Sequence, residues 1–67
     1  MINKLAKLAK KERVLLYYCI SPDDSMTIYA FANKFEDFLT IYPLSSYSDD
    51  EIIEITKDVI RRAKRND

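Results

Sequence analysis

The 67-residue chain has no histidine, no glycine and no tryptophan, and it has one cysteine and two prolines. Without histidine it has no imidazole base, no Ser-His or Cys-His nucleophile and no histidine ligand for a metal. Without glycine it has no phosphate-cradling loop of the P-loop or dinucleotide type. A single cysteine cannot form an intramolecular disulfide, which argues against a secreted scaffold stapled by disulfides. We therefore expect a protein that is not an enzyme and that binds no cofactor or metal.

Length and composition predict one small soluble domain. The 11 basic side chains balance the 11 acidic ones, and 48% of the residues are hydrophobic, which is an ordinary globular composition. The basic start and the apolar run Val14–Ile20 lack the pattern of a signal peptide. That run is also far shorter than the roughly 20 residues of a membrane span. We expect a single cytoplasmic domain over residues 1–67, near the lower size limit for one hydrophobic core.

Helix-start signals predict an all-α fold, a compact three-helix bundle. The segment Ser21–Asp24 offers an N-cap hydroxyl, then a proline, then acidic residues for the first turn. Ser48 and Glu51 have the spacing of a capping box. Pro43 disfavours helix at the residue before it and so ends the preceding element. The predicted helices cover residues 3–20, 22–41 and 49–65.

The predicted middle helix has the clearest apolar pattern. When residues 22–41 are drawn as a helix, the apolar side chains fall within one arc of about 120°. They are Ile28, Phe31, Ala32, Phe35, Phe38, Leu39 and Tyr42. The three phenylalanines are the expected centre of the core, because burying each one contributes roughly 1.5–3 kcal/mol.

A second interpretation stays open for residues 13–31. The run Val14–Ile20 is apolar all round and rich in residues that favour strands. An N-terminal β-hairpin would have strands at Arg13–Ile20 and Met26–Phe31, joined by a turn at Pro22–Ser25, and the fold class would be α+β. The absence of glycine argues against a tight two-residue turn, whereas a longer turn is compatible with this sequence.

The stretch Asp24–Ile53 carries a set of short motifs that follow one another in a fixed order. They are Asp24-Ser25 before a predicted helix, Phe31-Ala32-Asn33, Glu36-Asp37, and Tyr42-Pro43 with Ser45-Ser46 before an isoleucine-bearing helix. In this order they resemble the YozE-like family, short SAM-like helical proteins of Gram-positive bacteria. The lysine-rich start and the short tail depart from that family. The resemblance implies a compact helical fold and no known activity, and it transfers no functional residues.

Surplus aromatic and polar residues point to a protein partner. A chain of this size cannot bury all its tyrosines, and tyrosine is a preferred anchor of protein interfaces. The expected surface is the outer face of the middle helix, extended by its neighbours: Tyr29, Asn33, Glu36 and Asp37, with Tyr17 and Tyr18. The expected function is a small adaptor or inhibitor, of a bacterial or phage type, that docks on a larger host or cellular protein. Self-association into a homo-oligomer is left open, because oligomerisation is one source of stability for a small core.

An uneven charge distribution supports an alternative function. Residues 1–13 sum to +4, residues 14–60 to −7 and residues 61–67 to +3. Basic ends of this kind could bind phosphate in a small DNA-binding regulator. The residues concerned are Lys4, Lys7, Lys10, Lys11, Arg61, Arg62, Lys64 and Arg65. Cys19 lies in the apolar run and is expected to be a small buried hydrophobe.

Overall fold

The structure is a computed structural model that describes residues 2–65. Its three strands form one antiparallel sheet in the order β1-β2-β3. The elements in chain order are α1 (Ile2–Glu12), β1 (Leu15–Ser21), β2 (Ser25–Ala32), β3 (Phe35–Ile41), a 3-10 turn (Leu44–Ser46) and α2 (Asp49–Arg65). The fold is therefore α+β, and the predicted three-helix bundle is wrong.

The middle helix predicted over residues 22–41 does not exist, because this segment forms β2 and β3. In β2 the side chains alternate, with Met26, Ile28, Ala30 and Ala32 buried on one face of the sheet. This period of two is the pattern of a strand covered on one side. The hairpin interpretation of residues 13–31 is the arrangement found, since β1 pairs with β2 from Leu15 opposite Phe31 to Ser21 opposite Ser25.

Both turns of the sheet are tight although the chain has no glycine. Asp24 and Asn33 take left-handed backbone conformations, with φ of 65° and 57°, and these two residue types tolerate that region better than most. The predicted N-cap at Ser21 is wrong, because Ser21 ends β1 and pairs with Ser25. The Asp24 carboxylate instead accepts a hydrogen bond from the backbone N–H of Ser45 at 3.1 Å. The turn is thereby tied to the segment that leads into α2.

The predicted C-terminal helix is confirmed. The predicted N-terminal helix exists but is shorter than expected. In α2 the predicted capping box is present: the Glu51 N–H donates to Ser48 Oγ at 3.2 Å, and the Ser48 N–H donates to Glu51 Oε1 at 2.9 Å. The acidic residues of its first turn and the basic residues of its last turn complement the helix dipole. The first helix ends at Glu12 rather than at residue 20, because Val14–Ile20 enters the sheet.

The core lies between one face of the sheet, here called the inner face, and the two helices. The inner residues of β2 pack against buried side chains of both helices and of the end of β3. The helical and β3 contributors are Leu5, Leu8, Ile41, Ile52, Val59, Ile60 and Ala63. The expectation that the three phenylalanines form the core centre is wrong, because Phe31, Phe35 and Phe38 are all exposed by 40% or more.

The two helices run side by side in the same direction. Lys4, near the start of α1, lies 3.4 Å from the Asp50 carboxylate at the start of α2. At the other end, Lys64 Nζ lies 2.9 Å from Glu12 Oε1. With both helices on the inner face, the opposite face of the sheet is uncovered within residues 2–65.

The capping box gives a direct test of the local structure of α2. Replacing Ser48 with alanine removes the hydroxyl that accepts the Glu51 N–H, and we expect the free energy of unfolding to fall by about 1 kcal/mol. Urea titration followed by circular dichroism measures this change. Ser46→Ala, two residues earlier in the same connection, is the matched control and is expected to leave stability within about 0.5 kcal/mol. Equal losses in the two variants would contradict a specific cap.

Candidate functional site

The uncovered face of the sheet, here called the outer sheet face, is lined by aromatic and aliphatic side chains. The strand register places Tyr17, Tyr29 and Phe38 side by side in a row across all three strands. The adjacent row consists of Leu15 and Phe31 with Glu36. Leu15 is 61% exposed and Phe38 is 59% exposed. Exposed apolar patches larger than a few hundred Å² mark interaction sites more often than ordinary surface.

The three rings of the aromatic row contact one another. The rings of Tyr17 and Tyr29 are stacked, with centroids 5.0 Å apart and planes inclined by 16°. The rings of Tyr29 and Phe38 are 5.9 Å apart and tilted by 34°. Aromatic pairs at such distances contribute about 0.5–1.5 kcal/mol beyond the area that they bury. The row is therefore already ordered in the free protein.

A hydrogen bond fixes one end of this row. The Tyr17 hydroxyl donates to the Glu36 carboxylate across the sheet. This bond raises the pKa of Tyr17 above its ordinary value, because ionised Tyr17 would lose the bond and face a second negative charge. The ring of Tyr17 is thus held by stacking on one side and by its hydroxyl at the tip.

Polar residues border the aromatic row on the other side. Thr27 and Thr40 share a hydrogen bond of 2.9 Å between their hydroxyls, and Cys19 lies opposite Thr27 on β1. The expectation that Cys19 is buried is wrong, because its side chain is exposed. It belongs to the outward-facing set of β1, which neither of the helices described in residues 2–65 covers.

The structure brings together three of the six residues predicted for partner binding. Tyr17, Tyr29 and Glu36 are mutual neighbours on the outer sheet face. Tyr18 and Asp37 lie on the inner face, since they pair with the inward residues Ile28 and Ala30. Asn33 is in the turn between β2 and β3. The helical surface on which the six were expected does not exist.

Three apolar contributors to the outer sheet face are missing from the predicted set: Leu15, Phe31 and Phe38. The predicted middle helix places Phe31 and Phe38 in the core, and Leu15 lies in the apolar run Val14–Ile20. The signal that identifies Phe31 is the alternation in β2, where Thr27, Tyr29 and Phe31 alternate with Met26, Ile28, Ala30 and Ala32. Smaller aliphatic residues face the helices, and bulky or polar residues face outward.

The eight basic residues predicted for DNA binding are only partly available to bind phosphate. Within residues 2–65, four of them form ion pairs: Lys4 with Asp50, Arg61 with Asp58, Arg62 with Asp37, and Lys64 with Glu12. The hydrogen bond from Lys64 and its charge lower the pKa of Glu12, so this carboxylate stays ionised within the basic cluster. The parallel helices nevertheless place Lys10 and Lys11 at the same end of the molecule as Lys64 and Arg65. Lys7 and the ion-paired Lys4 lie nearer the other end.

Comparisons with known proteins do not supply an identity. No family model, curated protein or solved structure matches this chain. The YozE-like resemblance stays a prediction, while the helical fold that it implies is not found between Ser25 and Ile41, where the chain forms strands. Within residues 2–65, no helix combines the length and hydrophobicity that a membrane crossing needs. The same residues contain no cluster of three or more His, Cys, Asp or Glu side chains suited to a metal ion.

The Tyr17–Glu36 bond predicts a specific pH dependence. Because the folded-state pKa of Tyr17 is raised, the stabilisation from the bond is fully present below the ordinary tyrosine pKa of 10.0 and is lost as pH rises through the folded-state pKa. Glu36→Gln removes the negative charge, and we expect the Tyr17 pKa to move down toward 10.0. Tyrosinate absorbance, titrated against a Tyr17→Phe reference that identifies this one ring, measures the shift. An unchanged Tyr17 pKa in Glu36→Gln would contradict the bond.

Proposed function

We propose that this protein is a small non-enzymatic protein-binding module, an adaptor or inhibitor that docks on a larger protein through its outer sheet face. The observation that carries the proposal is the ordered and exposed row Tyr17–Tyr29–Phe38, which no element within residues 2–65 covers. Tyrosine and phenylalanine are enriched in protein interfaces, and tyrosine is also enriched among the residues that dominate binding energy.

Pre-ordering makes this surface suited to binding. Stacking and the Tyr17–Glu36 hydrogen bond already restrict these side chains, so a partner has less rotamer entropy to remove on association. The Leu15 and Phe31 side chains extend the row into a broader apolar patch. A partner that covers the patch removes this apolar area from water, and each Å² removed contributes about 25 cal/mol to the free energy of binding.

Charge favours protein over nucleic acid as the partner of this face. The only charged side chain in the two apolar rows is Glu36, and a carboxylate repels phosphate. Single-stranded nucleic acid also stacks on aromatic sheet surfaces, but such sites carry basic residues that follow the backbone. A protein partner that presents apolar side chains and a donor for Glu36 is the better complement.

A double substitution tests the outer sheet face. Tyr29→Ala with Glu36→Lys removes the central ring and reverses the one charge, and we expect partner affinity to fall by about thirtyfold or more. The tagged full chain is used as bait in a nuclease-treated bacterial lysate, and bound proteins are quantified by mass spectrometry. A protein retained by the wild type and lost by this variant is the expected result.

The matched control makes the same two chemical changes on the helical side of the molecule. Tyr47→Ala with Glu54→Lys alters a half-buried tyrosine and an exposed glutamate that lie beside one surface depression next to α2. This variant is expected to retain the partner. Circular dichroism confirms that both variants are folded. Retention of the same proteins by all three baits would contradict the outer sheet face as the docking surface.

A second candidate function, DNA binding through the basic ends, is favoured by one observation. The parallel arrangement of α1 and α2 gathers Lys10, Lys11, Lys64 and Arg65 at one end of the molecule. Glu12, ion-paired to Lys64, and the acidic start of α2 reduce the net positive field of this helical side. We therefore rank this function below protein binding.

Salt dependence tests the second candidate. If four of these basic residues contact phosphate, affinity for a DNA duplex should fall by about a hundredfold between 50 and 200 mM salt. Lys10→Glu with Lys11→Glu should flatten that dependence, whereas Lys34→Glu with Lys57→Glu is the control with the same change in charge. Fluorescence anisotropy of a labelled duplex measures both effects. Binding that is weak and equal in all three proteins would exclude this function.

A further inference from the structure

The sheet has two edges, β1 and β3, and an edge strand presents backbone N–H and C=O groups that another strand can pair with. We propose that β1 pairs antiparallel with β1 of a second copy of this chain, so that two three-stranded sheets become one sheet of six strands. The proposal does not rest on the protein-binding function, because pairing at the edge leaves the aromatic row of each copy uncovered.

The two edges differ in how they are protected. The β3 strand contains Glu36 and Asp37, and Asp37 faces the helices, with its carboxylate 3.2 Å from Nε of Arg62. Arg62 Nη2 also donates to the carbonyl of Phe38 at 3.4 Å. Charged and inward-pointing residues are the usual protection of an edge against pairing. The β1 strand, Leu15–Ser21, contains neither a charged residue nor a proline.

The β1 strand is self-complementary around a two-fold axis through Tyr18. In that register Leu16 lies opposite Ile20 of the second copy, and Tyr17 lies opposite Cys19 of the second copy. Every pair then matches inner residues with inner residues and outer residues with outer residues. A slip of one residue would bring inner side chains against outer ones. The register also uses the whole strand, because Leu15 reaches Ser21 of the second copy.

The inner face beside β1 offers both a cleft and a side chain to fill it. A cleft of about 300 Å³ lies between α1 and β1, lined by apolar side chains that include Ala6, Ala9 and Leu16. Ile20 is an inner-face residue that is nevertheless 60% exposed. In the proposed register Ile20 of the second copy lies opposite Leu16, at the wall of this cleft. Each copy therefore supplies one cleft and one isoleucine.

Charge complementarity at the ends of the strand supports the same register. Arg13 precedes β1 and Asp23 follows it, and both are exposed. Antiparallel pairing through Tyr18 brings the end of β1 that follows Arg13 beside the end that precedes Asp23 of the second copy, so the two opposite charges lie at the same end of the interface. The Asp23 carboxylate also accepts a hydrogen bond from Ser25 Oγ at 2.6 Å. The two-fold axis repeats this arrangement at the other end. A symmetric interface of this kind places one surface against itself. The two opposite charges at its ends therefore attract rather than repel.

Sedimentation equilibrium of the full chain from about 5 to 500 µM tests the proposal, because a dimer forms by mass action. We expect the mass to rise with concentration to twice that of one chain. Tyr18→Lys places two ammonium groups opposite each other at the axis, and we expect dimerisation to weaken at least about tenfold. Thr40→Lys, the same introduced charge at an exposed position on β3, is the control and should dimerise like the wild type.

A charge exchange tests the register. Arg13→Asp alone and Asp23→Arg alone each oppose like charges at both ends, and each is expected to weaken dimerisation by about tenfold. The double variant restores opposite charges and should return to within about threefold of the wild type. Circular dichroism confirms that each variant is folded.

Three results would overturn the proposal. The first is a monomer at every concentration. The second is a dimer that Tyr18→Lys leaves unchanged, or that Thr40→Lys weakens as much, since the contact would then lie elsewhere. The third is a double variant no stronger than the single ones, which would exclude this register.

Discussion

The packing of α2 against β2 is the contact on which the rest of the structure depends. Along the inner face of β2 the side chains shorten from Met26 and Ile28 to Ala30 and Ala32, all buried. The two alanines leave room for Val59 and Ala63 of α2, which are fully buried in the same cluster as those alanines. A chain of this size buries only about 60% of the surface that it exposes when unfolded. Its two helices therefore cover one face of the sheet and leave the other face exposed. Four of its eight aromatic side chains, Tyr17, Tyr29, Phe31 and Phe38, lie on the other face.

The fold could be predicted from sequence where a local signal has one meaning. The α2 helix combines a capping box with acidic and basic ends, and the bounds predicted for it, 49–65, are the ones found. The signal at Ser21–Asp24 suits a turn as well as a helix N-terminus, and the apolar residues of 22–41 fit a helical arc and a strand alternation alike. The sequence also gives no clear sign of the tight turns at Asp24 and Asn33, because left-handed backbone is expected first at glycine. The candidate surface shows the same limit. Residue type alone points to Tyr17, Tyr29 and Glu36 as partner-binding residues. Phe31 and Phe38 are missed, because a helical period of about 3.6 residues places them in the core, whereas the strand period of two places them on the outer sheet face.

The zero net charge of the chain includes charges that pair with one another on the surface of the fold. Several basic side chains of its N-terminal and C-terminal segments form ion pairs with carboxylates of other elements. Lys4 and Lys64 connect the two helices through Asp50 and Glu12, and Arg62 connects α2 to the inward carboxylate on β3. Such surface pairs contribute little stability individually, but their positions at both ends of α1 favour the parallel orientation of the two helices over an antiparallel one. The outer sheet face, by contrast, is nearly uncharged.

The attachment of α1 has a thermodynamic consequence of its own. Within α1 only Leu5 and Leu8 are buried, and its ion pairs with α2 join residues 46 and 52 positions apart in the chain. No strand pairing depends on this helix. Local opening is cheapest where few apolar contacts hold an element, so α1 can detach at a fraction of the cost of global unfolding. We therefore expect the cheapest local opening of the molecule to be the detachment of α1, in which the sheet and α2 persist and Ile28 meets water.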